Sequence, residues 1–381
     1  MREGWEQYRF DEVFNLQMGK TPDRKTPQYF GGDNVWVSIR DLVKKEIFDS
    51  NEHITDEAIL ASNIRQVKKG TVIMSFKLTV GKCAIAGKDL YTNEAIIAFN
   101  LKEGYEIIPN FLYYYLQGYK WEGANKAVMG LTLNKATISK HKIAFPPLST
   151  QQSIVSELDK INELISLKKS QLEDLDSLAQ SIFNDMFGDF EDDTPLSHFI
   201  NSLGGGKSLA GMVPCINKVL KTGAVTYDCF DGNAVKDLPI DYVPLPEHLL
   251  KNGDLLVSRM NSPELVGSCA YVWKAPANTY LPDRLWRAEL KQGNNPIYLW
   301  FSIIQLKAKE QIRTLASGTS GSMKNISKPR FLSVKIKNVP LSLQQSFAKR
   351  IEVIEQQKQQ INKTIKDLET LLASRMQYWF D

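Results

Sequence analysis

Long apolar runs, cysteine and histidine are all scarce in this chain of 381 residues. No apolar run approaches the ~20 residues that a membrane-spanning helix needs, so we expect no membrane partner. The polar segment 1–7 is not typical of a secretory signal peptide. The four cysteines form no Cys-x-x-Cys pair, and none of the four histidines stands at ligand spacing from them, which argues against a zinc site. These features indicate a cytoplasmic protein with reduced, mostly buried thiols.

Catalytic motifs are also missing. Residues 206–208 supply the Gly-Lys-Ser end of a nucleotide-binding P-loop, but Asn201 stands where that motif needs its first glycine. The Phe-Pro-Pro-Leu segment 145–148 lacks the Asn or Asp that precedes the prolines in an adenine methyltransferase loop. Neither segment therefore supports catalysis, and we predict that the chain has no active site.

The most informative pattern is an internal repeat. Six short segments of the first half recur in the same order in the second half, at offsets between 183 and 193 residues. The segments that begin at Gly19, Gly70, Val80, Pro109, Ile138 and Pro147 match those that begin at Gly206, Gly253, Val266, Pro296, Ile326 and Pro340. Collinear matches with a drifting offset predict a tandem duplication with small insertions.

Each half predicts a globule of mixed α/β class, with sheet and helix together (α+β). Short apolar runs after glycine at 72–76 and 255–259 are typical of strands, as are 80–86 and 266–273. Apolar residues at helical spacing predict helices over 110–117 and 296–306. The chain is therefore divided into a first globule, a first long helix, a second globule and a second long helix, at 1–147, 148–190, 191–339 and 340–381.

Two long helices are predicted from heptad patterns that follow Pro147 and Pro340. Ser149 with Gln152, and Ser342 with Gln345, fit the capping box that begins many helices. An apolar seam with 3.5-residue periodicity is the coiled-coil pattern. Its predicted pairing residues are Ile154, Leu158, Ile161, Ile165, Leu172, Leu175 and Ile182 in the first helix, and Ile351, Ile354, Ile361, Ile365, Leu368 and Leu372 in the second.

A narrow seam cannot be buried by one helix alone. We expect the two helices to pair with each other, antiparallel, as a coiled-coil rod of about 55 Å that relates the globules by a pseudo-twofold axis. The alternatives are that each helix packs on its own globule, or that the seam binds another protein chain.

Charge is distributed unevenly. Residues 1–147 carry a net charge of +3 and residues 191–339 carry +5, whereas the first long helix, 148–190, carries −5. A basic globule concentrates a polyanion such as DNA at its surface, and an acidic helix repels it. The charges are compatible with DNA binding by the globules, although differences of this size also arise by chance.

Several of these segments together resemble the DNA specificity subunit of type I restriction–modification systems. They are Gly-Lys-Thr-Pro at 19–22, Trp-Val-Ser-Ile-Arg-Asp at 36–41, the strand at 70–75, and Pro-Leu-Ser-x-Gln-Gln at 147–152 and 340–345 before long helices. The resemblance covers both halves, although the second half has no obvious equivalent of segment 36–41.

The resemblance implies a non-catalytic subunit with two target-recognition domains, each binding half of a bipartite, asymmetric DNA target. It implies that the long helices set the spacing of the half-sites and dock two adenine methyltransferase subunits, and that translocating restriction subunits join for defence against phage. The chain itself would hold no cofactor; S-adenosylmethionine, ATP and magnesium would be bound by the partner subunits.

Base edges are recognised through Arg, Lys, Asn and Gln, and phosphates through cations and hydroxyl groups. Loops rich in these residues give the candidate DNA contacts. In the first half they are Lys20, Thr21, Arg24, Lys25, Ser38, Arg40, Lys77, Thr79, Lys82, Thr132, Asn134 and Lys135. In the second half they are Lys207, Ser208, Arg259, Asn261, Arg284, Arg287, Thr319, Ser320, Lys324 and Asn325.

Two other functions compete with this one. A free-standing coiled-coil DNA-binding regulator would bind its site tightly without a methyltransferase partner. A metal-dependent nuclease would use Asp283, Glu289 and Lys291, which imitate a PD…ExK pattern. The first half has no counterpart of that pattern, so we favour a chance match.

Overall fold

The computed structural model describes residues 4–122, 125–127, 130–318 and 323–381, without the side chains of 125–127 and 130–132. These residues form two compact units. Unit 1 comprises Met1–Ser170 and Asn362–Asp381, and unit 2 comprises Gln171–Ile361. The helices are α1 (Phe10–Val13), α2 (Asp56–Ser62), α3 (Pro109–Gly118), α4 (Lys135–Lys140), α5 (Leu148–Phe187), α6 (Pro296–Ile303), α7 (Leu306–Leu315), α8 (Lys328–Leu332) and α9 (Leu341–Phe380).

Unit 1 is built on a five-stranded sheet of order β2-β10-β6-β8-β4. Adjacent strands of this sheet are antiparallel, except that β4 runs parallel to β8. Smaller sheets have the orders β5-β3-β9, β11-β12-β7 and β1-β13. The strands are β1 (Glu6–Arg9), β2 (Phe14–Met18), β3 (Phe30–Val37), β4 (Glu46–Ile47), β5 (Glu52–Ile54), β6 (Val72–Ser75), β7 (Lys77–Leu78), β8 (Cys83–Ala86), β9 (Tyr91–Thr92), β10 (Ile96–Leu101), β11 (Asn125–Ala127), β12 (Gly130–Thr132) and β13 (Lys142–Phe145).

Unit 2 has a four-stranded antiparallel sheet of order β15-β24-β20-β22. Smaller sheets have the orders β19-β16-β23, β14-β26, β17-β18 and β21-β25. The strands are β14 (Asp192–Pro195), β15 (Ile200–Gly204), β16 (Lys218–Leu220), β17 (Val225–Thr226), β18 (Cys229–Phe230), β19 (Val235–Asp237), β20 (Leu255–Ser258), β21 (Met260–Asn261), β22 (Cys269–Tyr271), β23 (Thr279–Tyr280), β24 (Leu285–Leu290), β25 (Lys324–Asn325) and β26 (Lys335–Lys337).

The main sheets of the two units share one order of four strands, which confirms the predicted repeat and the mixed class. The order β2-β10-β6-β8 of unit 1 corresponds to β15-β24-β20-β22 of unit 2. Equivalent turns agree in their hydrogen bonds: the amide of Gly81 donates to Ser75 O (3.0 Å), and that of Gly267 donates to Ser258 O (2.7 Å). Both glycines have positive φ, so β8 and β22 begin after these turns, later than the sequence predicted.

The long helices begin differently from the prediction. Gln151 N donates to Pro147 O and Gln344 N to Pro340 O, both at 3.1 Å, so the prolines occupy the N-cap positions. Ser149 and Ser342 therefore lie inside the first turn, and the predicted capping boxes are wrong. The serines are not the N-caps because the carbonyls of Pro147 and Pro340, two residues earlier, already accept the first helical hydrogen bonds.

The buried residue of each Gln-Gln pair is the first one. Gln151 accepts a hydrogen bond from Ile108 N (2.9 Å) and donates to Glu106 O (3.0 Å) and Pro146 O (2.9 Å). Gln344 accepts from Asn295 N (2.8 Å) and donates to Val339 O (2.9 Å). Each glutamine thus joins the start of a long helix to the segment before α3 or α6. These bonds explain why the first glutamine of the Pro-Leu-Ser-x-Gln-Gln segment is repeated.

Within each unit, α5 and α9 run antiparallel. In unit 1, the carboxylate of Glu157 accepts from Trp379 Nε1 (2.9 Å) and binds Arg375, and further along Lys169 pairs with Glu369 (3.4 Å). In unit 2, Lys358 binds Asp176 (2.7 Å), and Phe347 packs on Phe183 and Phe187 with ring centroids 5.6 and 5.3 Å apart. Residues later in α5 therefore contact residues earlier in α9, as antiparallel helices do.

The predicted seam residues are buried or half-buried. Ile154 and Leu158 lie in the core of unit 1, and Ile351 and Ile354 lie in that of unit 2. Packing of the helices on the globules is therefore also present. The remaining seam residues are Ile161, Ile165, Ile361 and Ile365, which are buried, and Leu172, Leu175, Ile182, Leu368 and Leu372, which are half-buried.

The cysteines are free thiols. Cys83 and Cys269 are buried, and burial raises the pKa of both thiols. Cys215 is half-buried and Cys229 is exposed, so the prediction of mostly buried thiols is wrong for Cys229. It lies in the β17–β18 hairpin, paired with Thr226.

Candidate nucleic-acid interface

One edge of the main sheet in unit 1 collects the predicted contact loops. Gly19 N donates to Ile96 O (3.1 Å), Phe76 N to Ala95 O (3.0 Å), and Leu133 N to Phe76 O (2.8 Å). These bonds join the chain after β2, the turn after β6, the start of β10 and the loop before α4. We call this edge the unit 1 edge; it carries the candidates at 20–25, 77–82 and 132–135. Asn93 N donates to Val37 O (3.0 Å), which brings the candidates at 38–40 to the same edge.

The repeated glycine of Gly-Lys-Thr and Gly-Lys-Ser has a packing role. A Cβ at Gly19 would lie 2.2 Å from Thr92 O, and one at Gly206 would lie 1.9 Å from Leu281 O. Both distances are below any real Cβ contact, so only glycine allows the chain to pass this close to the neighbouring strand. The motif resembles a P-loop end but is explained by this approach.

Trp36 organises the first candidates. Its Nε1 donates to Lys20 O (3.1 Å), and the Arg24 guanidinium lies 5.0 Å from its ring centroid and 4.5 Å from that of Phe30. Arg24 also binds the Glu52 carboxylate in a two-pronged pair, which lowers the pKa of Glu52. Arg24 is thus exposed but held by Glu52. Lys20 and Lys25 are also exposed, and Lys20 Nζ donates to Ser62 O (3.2 Å).

Of the next two candidates, Ser38 is bound within the fold and Arg40 is exposed. Ser38 Oγ donates to Asp41 (2.8 Å), which also accepts from Asn51 N (3.0 Å) and Nδ2 (2.6 Å). Burial opposes ionisation of Asp41, but the hydrogen bonds from Asn51 and Ser38 outweigh it and hold its pKa below the usual value. Arg40 is exposed and has no hydrogen-bond or ion-pair partner within the described part of the chain.

The remaining unit 1 candidates meet at the β11-β12-β7 sheet. Lys77 pairs in register with Thr132, whose side chain lies outside the described residues. Asn134 caps α4 by accepting from Thr137 N (2.8 Å). Lys77 is half-buried, with its Nζ 5.6 Å from the Phe76 ring centroid. Thr79, Lys82 and Lys135 are exposed.

Unit 2 has the equivalent edge, here called the unit 2 edge. Arg259 N donates to Arg284 O (3.1 Å), and Ile326 N donates to Arg259 O (3.0 Å), as in the pairs around Phe76. Lys207, Ser208 and Arg284 are exposed there, and Asn261, Lys324 and Asn325 lie in the β21-β25 pair. Thr319 and Ser320 lie outside the described residues.

Two arginines at the unit 2 edge have different surroundings. Arg287 pairs with Asp254 (2.7 Å) and donates to Glu247 O (2.8 Å) and Leu249 O, so it is bound within the fold. Arg259 has its guanidinium 5.9 Å from the Trp286 ring centroid. Its buried Nε has no hydrogen-bond partner among the described residues.

The sequence missed Lys221 and Lys236, which join the predicted Arg284 in a cluster of cations in unit 2. An open pocket of about 500 Å³ is lined by Ser208, Leu220, Lys221, Thr222, Lys236, Asp283 and Arg284. Lys221 follows β16, which pairs in parallel with β23 as β3 pairs with β9. Strand β16 is therefore the equivalent of the Trp36 segment that the sequence did not reveal. Trp36, which pairs with Tyr91, corresponds to Val219, which pairs with Tyr280, so side-chain similarity gave no signal there.

Both edges contain a hydroxyl bound to a carboxylate. Thr21 Oγ1 donates to Glu94 Oε2, and Ser208 Oγ donates to Asp283 Oδ1. The other members of the nuclease-like pattern have separate partners: Glu289 accepts from Ser202 Oγ (2.7 Å) and Lys291 donates to Ser197 O (2.9 Å). Within the described ranges, no three side chains form a cluster that could hold a metal ion. No described helix is both long and apolar enough to cross a membrane.

Comparison with protein families gives one match that covers most of the chain. The model described as "Type I restriction modification DNA specificity domain" matches residues 2–176 and 218–370. Its two segments fall in the two halves of the predicted repeat.

Curated relatives match over part of their length. The type I restriction enzyme MjaIX specificity subunit of Methanocaldococcus jannaschii is 29% identical over 194 residues, which is 49% of this chain and 44% of that protein. The EcoKI specificity subunit of Escherichia coli strain K12 is 24% identical over 244 residues, 58% of this chain and 52% of that protein. The matched segments span about half the length of these relatives.

Solved structures share the fold at low identity. A type I restriction–modification S subunit from M. genitalium has a TM-score of 0.57 at 13% identity, with 98% of this chain and 95% of that chain covered. A chain from a study of assembly and conformational transition of the type I R-M system has a TM-score of 0.59 at 16% identity, with 100% and 98% covered.

Proposed function

The chain belongs to the type I restriction modification DNA specificity family, and we propose that it is the non-catalytic DNA sequence-recognition subunit of such a system. Each unit binds one half of a bipartite, asymmetric target. Its curated relatives carry the name of specificity subunit, which supports this role.

The observation that carries the proposal is the repeated edge. Both units place their cationic and hydroxyl-bearing loops at the same edge of the same four-strand arrangement. Cations bind phosphates, and neighbouring polar side chains contact base edges. Two such edges in one chain suit a target of two halves.

The exposed cations are the proposed phosphate contacts. They are Lys20, Lys25, Arg40, Lys82, Lys135, Lys207, Lys221 and Arg284. The half-buried Lys77, Arg259, Asn261, Lys324 and Asn325 lie beside them and are proposed as contacts to the target. Arg24, Ser38, Asn134 and Arg287 are bound within the fold and position these loops.

The paired helices α5 and α9 are proposed to hold the half-sites at a fixed spacing and to dock two adenine methyltransferase subunits. Restriction subunits that translocate DNA would join this assembly in the cytoplasm. S-adenosylmethionine, ATP and magnesium would belong to those partners, because the proposed role of this chain is recognition.

The test is co-expression of the chain with the neighbouring methyltransferase subunit, followed by sequencing that maps methylated adenines. We expect a split motif with two specified halves and an unspecified spacer. Methylation without a split motif, or tight specific binding by this chain with no methyltransferase partner, would favour a free-standing regulator instead. Metal-dependent cutting that is lost in Glu289→Ala would favour a nuclease.

A further inference from the structure

The two hydroxyl–carboxylate pairs are equivalent in position. Thr21 and Ser208 each follow the Gly-Lys step that passes close to the neighbouring strand, and Glu94 and Asp283 each stand shortly before an inner strand of the main sheet, β10 or β24. All four side chains are exposed or half-buried. Few side-chain interactions are common to both edges. The hydroxyl–carboxylate pair is one of them, which suggests that it has a function.

The pair presents acceptors to its surroundings. A hydroxyl has one proton, and Thr21 and Ser208 give theirs to the carboxylate, which leaves only lone pairs. Phosphate oxygens also accept hydrogen bonds, so the pair cannot bond the DNA backbone and repels it. Its ligand must be a hydrogen-bond donor.

Nearby cations of the described chain form no ion pair with the two carboxylates, although Lys221, Lys236 and Arg284 line the pocket that contains Asp283. Arg24 is bound by Glu52, Lys20 Nζ donates to Ser62 O (3.2 Å), and Arg287 is bound by Asp254. Neither Glu94 nor Asp283 forms an ion pair with a described residue. The remaining lone pairs of each carboxylate therefore face solvent at the edge proposed to meet DNA.

In the major groove, the donors on base edges are the N6 amino group of adenine and the N4 amino group of cytosine. We propose that Glu94 and Asp283 are specificity-determining residues, each accepting a hydrogen bond from such an exocyclic amino group in its own half-site. This inference rests on the proposed function. Thr21 and Ser208 are positioning residues that fix the carboxylates in the orientation that meets the base.

The test first selects targets from randomised DNA duplexes with the full chain and any co-purifying modification subunits. Single adenines of the selected motif are then replaced by purine, and single cytosines by 2-pyrimidinone, because both analogues lack the amino group. We expect wild-type protein to lose about tenfold or more in affinity at one position of each half-site. Asp283→Ala should abolish this loss in one half-site only, and Glu94→Ala in the other only.

Glu289→Ala is the matched control, because Glu289 accepts from Ser202 Oγ at the other end of β24. It should leave both amine dependences unchanged. A bipartite motif whose amine dependence persists in Asp283→Ala and Glu94→Ala overturns the inference and leaves the proposed function standing. Failure of the wild-type protein to select any bipartite motif overturns the proposed function as well.

Discussion

Individual arginines of the unit 2 edge differ in what they bind. Arg284 is exposed beside the pocket of cations, whereas the Arg287 side chain is only 20% exposed and holds Asp254, which is 11% exposed. Desolvation raises the pKa of Asp254, although hydrogen bonds from Lys251 N and Arg287 oppose it. A buried carboxylate of this kind depends on its cation.

Replacing Arg287 by Ala should therefore lower the free energy of unfolding by about 3 kcal/mol, because Asp254 loses its cation and two carbonyls lose their donor. Chemical denaturation measures this change. Arg284→Ala is the control on the same edge and should change the free energy by less than about 0.5 kcal/mol. Equal effects of the two substitutions would contradict the structural role of Arg287.

Asp41 predicts a dependence of stability on pH. Its folded-state pKa is lowered below the ordinary 3.8, so ionised Asp41 stabilises unit 1 at pH values above the unfolded-state pKa. This contribution is lost as the pH falls from about 4 through the lower folded-state pKa. Asp41→Asn should flatten the acid side of a plot of unfolding free energy against pH; a curve parallel to that of wild type would refute the assignment.

Among the secondary-structure elements, the long helices were the most predictable from sequence. Heptad spacing depends only on local residue order. The predicted seam residues between Ile154 and Ile182 and between Ile351 and Leu372 therefore fall on the buried sides of α5 and α9. Their starts were less predictable, because Ser149 matches the capping pattern but Pro147 occupies the N-cap. The role of Gln151 depends on Glu106 and Ile108, which local sequence does not identify as neighbours.

The glutamines at these starts give a prediction with an internal control. Gln344→Ala should lower the free energy of unfolding by about 3 kcal/mol, because it leaves buried groups at Asn295 and Val339 without partners. Gln345→Ala, at the exposed neighbour, should have little effect. Thermal and denaturant unfolding of the full chain compare them, and a larger loss in Gln345→Ala would reverse the assignment.

For the molecule as a whole, the duplication was visible in sequence, but the extent of the second edge was not. Gly19 and Gly206 occur at equivalent positions because only glycine lets the chain pass so close to the neighbouring strand. The motif that contains them could therefore be recognised in both halves of the sequence. Trp36 and Val219 occupy equivalent positions through backbone pairing with β9 and β23, and that pairing does not require similar side chains. Lys221 and Lys236 were missed for this reason.

The central claim is that each edge binds its own half-site, and ethylation interference on the selected target tests it most directly. Wild-type protein should show phosphates in both halves at which ethylation blocks binding. Arg40→Ala and Lys77→Ala should remove interference in one half only, and Lys221→Ala and Arg284→Ala in the other only, with unchanged unfolding midpoints. Loss of interference in the same half for variants of both edges, or in neither half for any variant, would contradict the account.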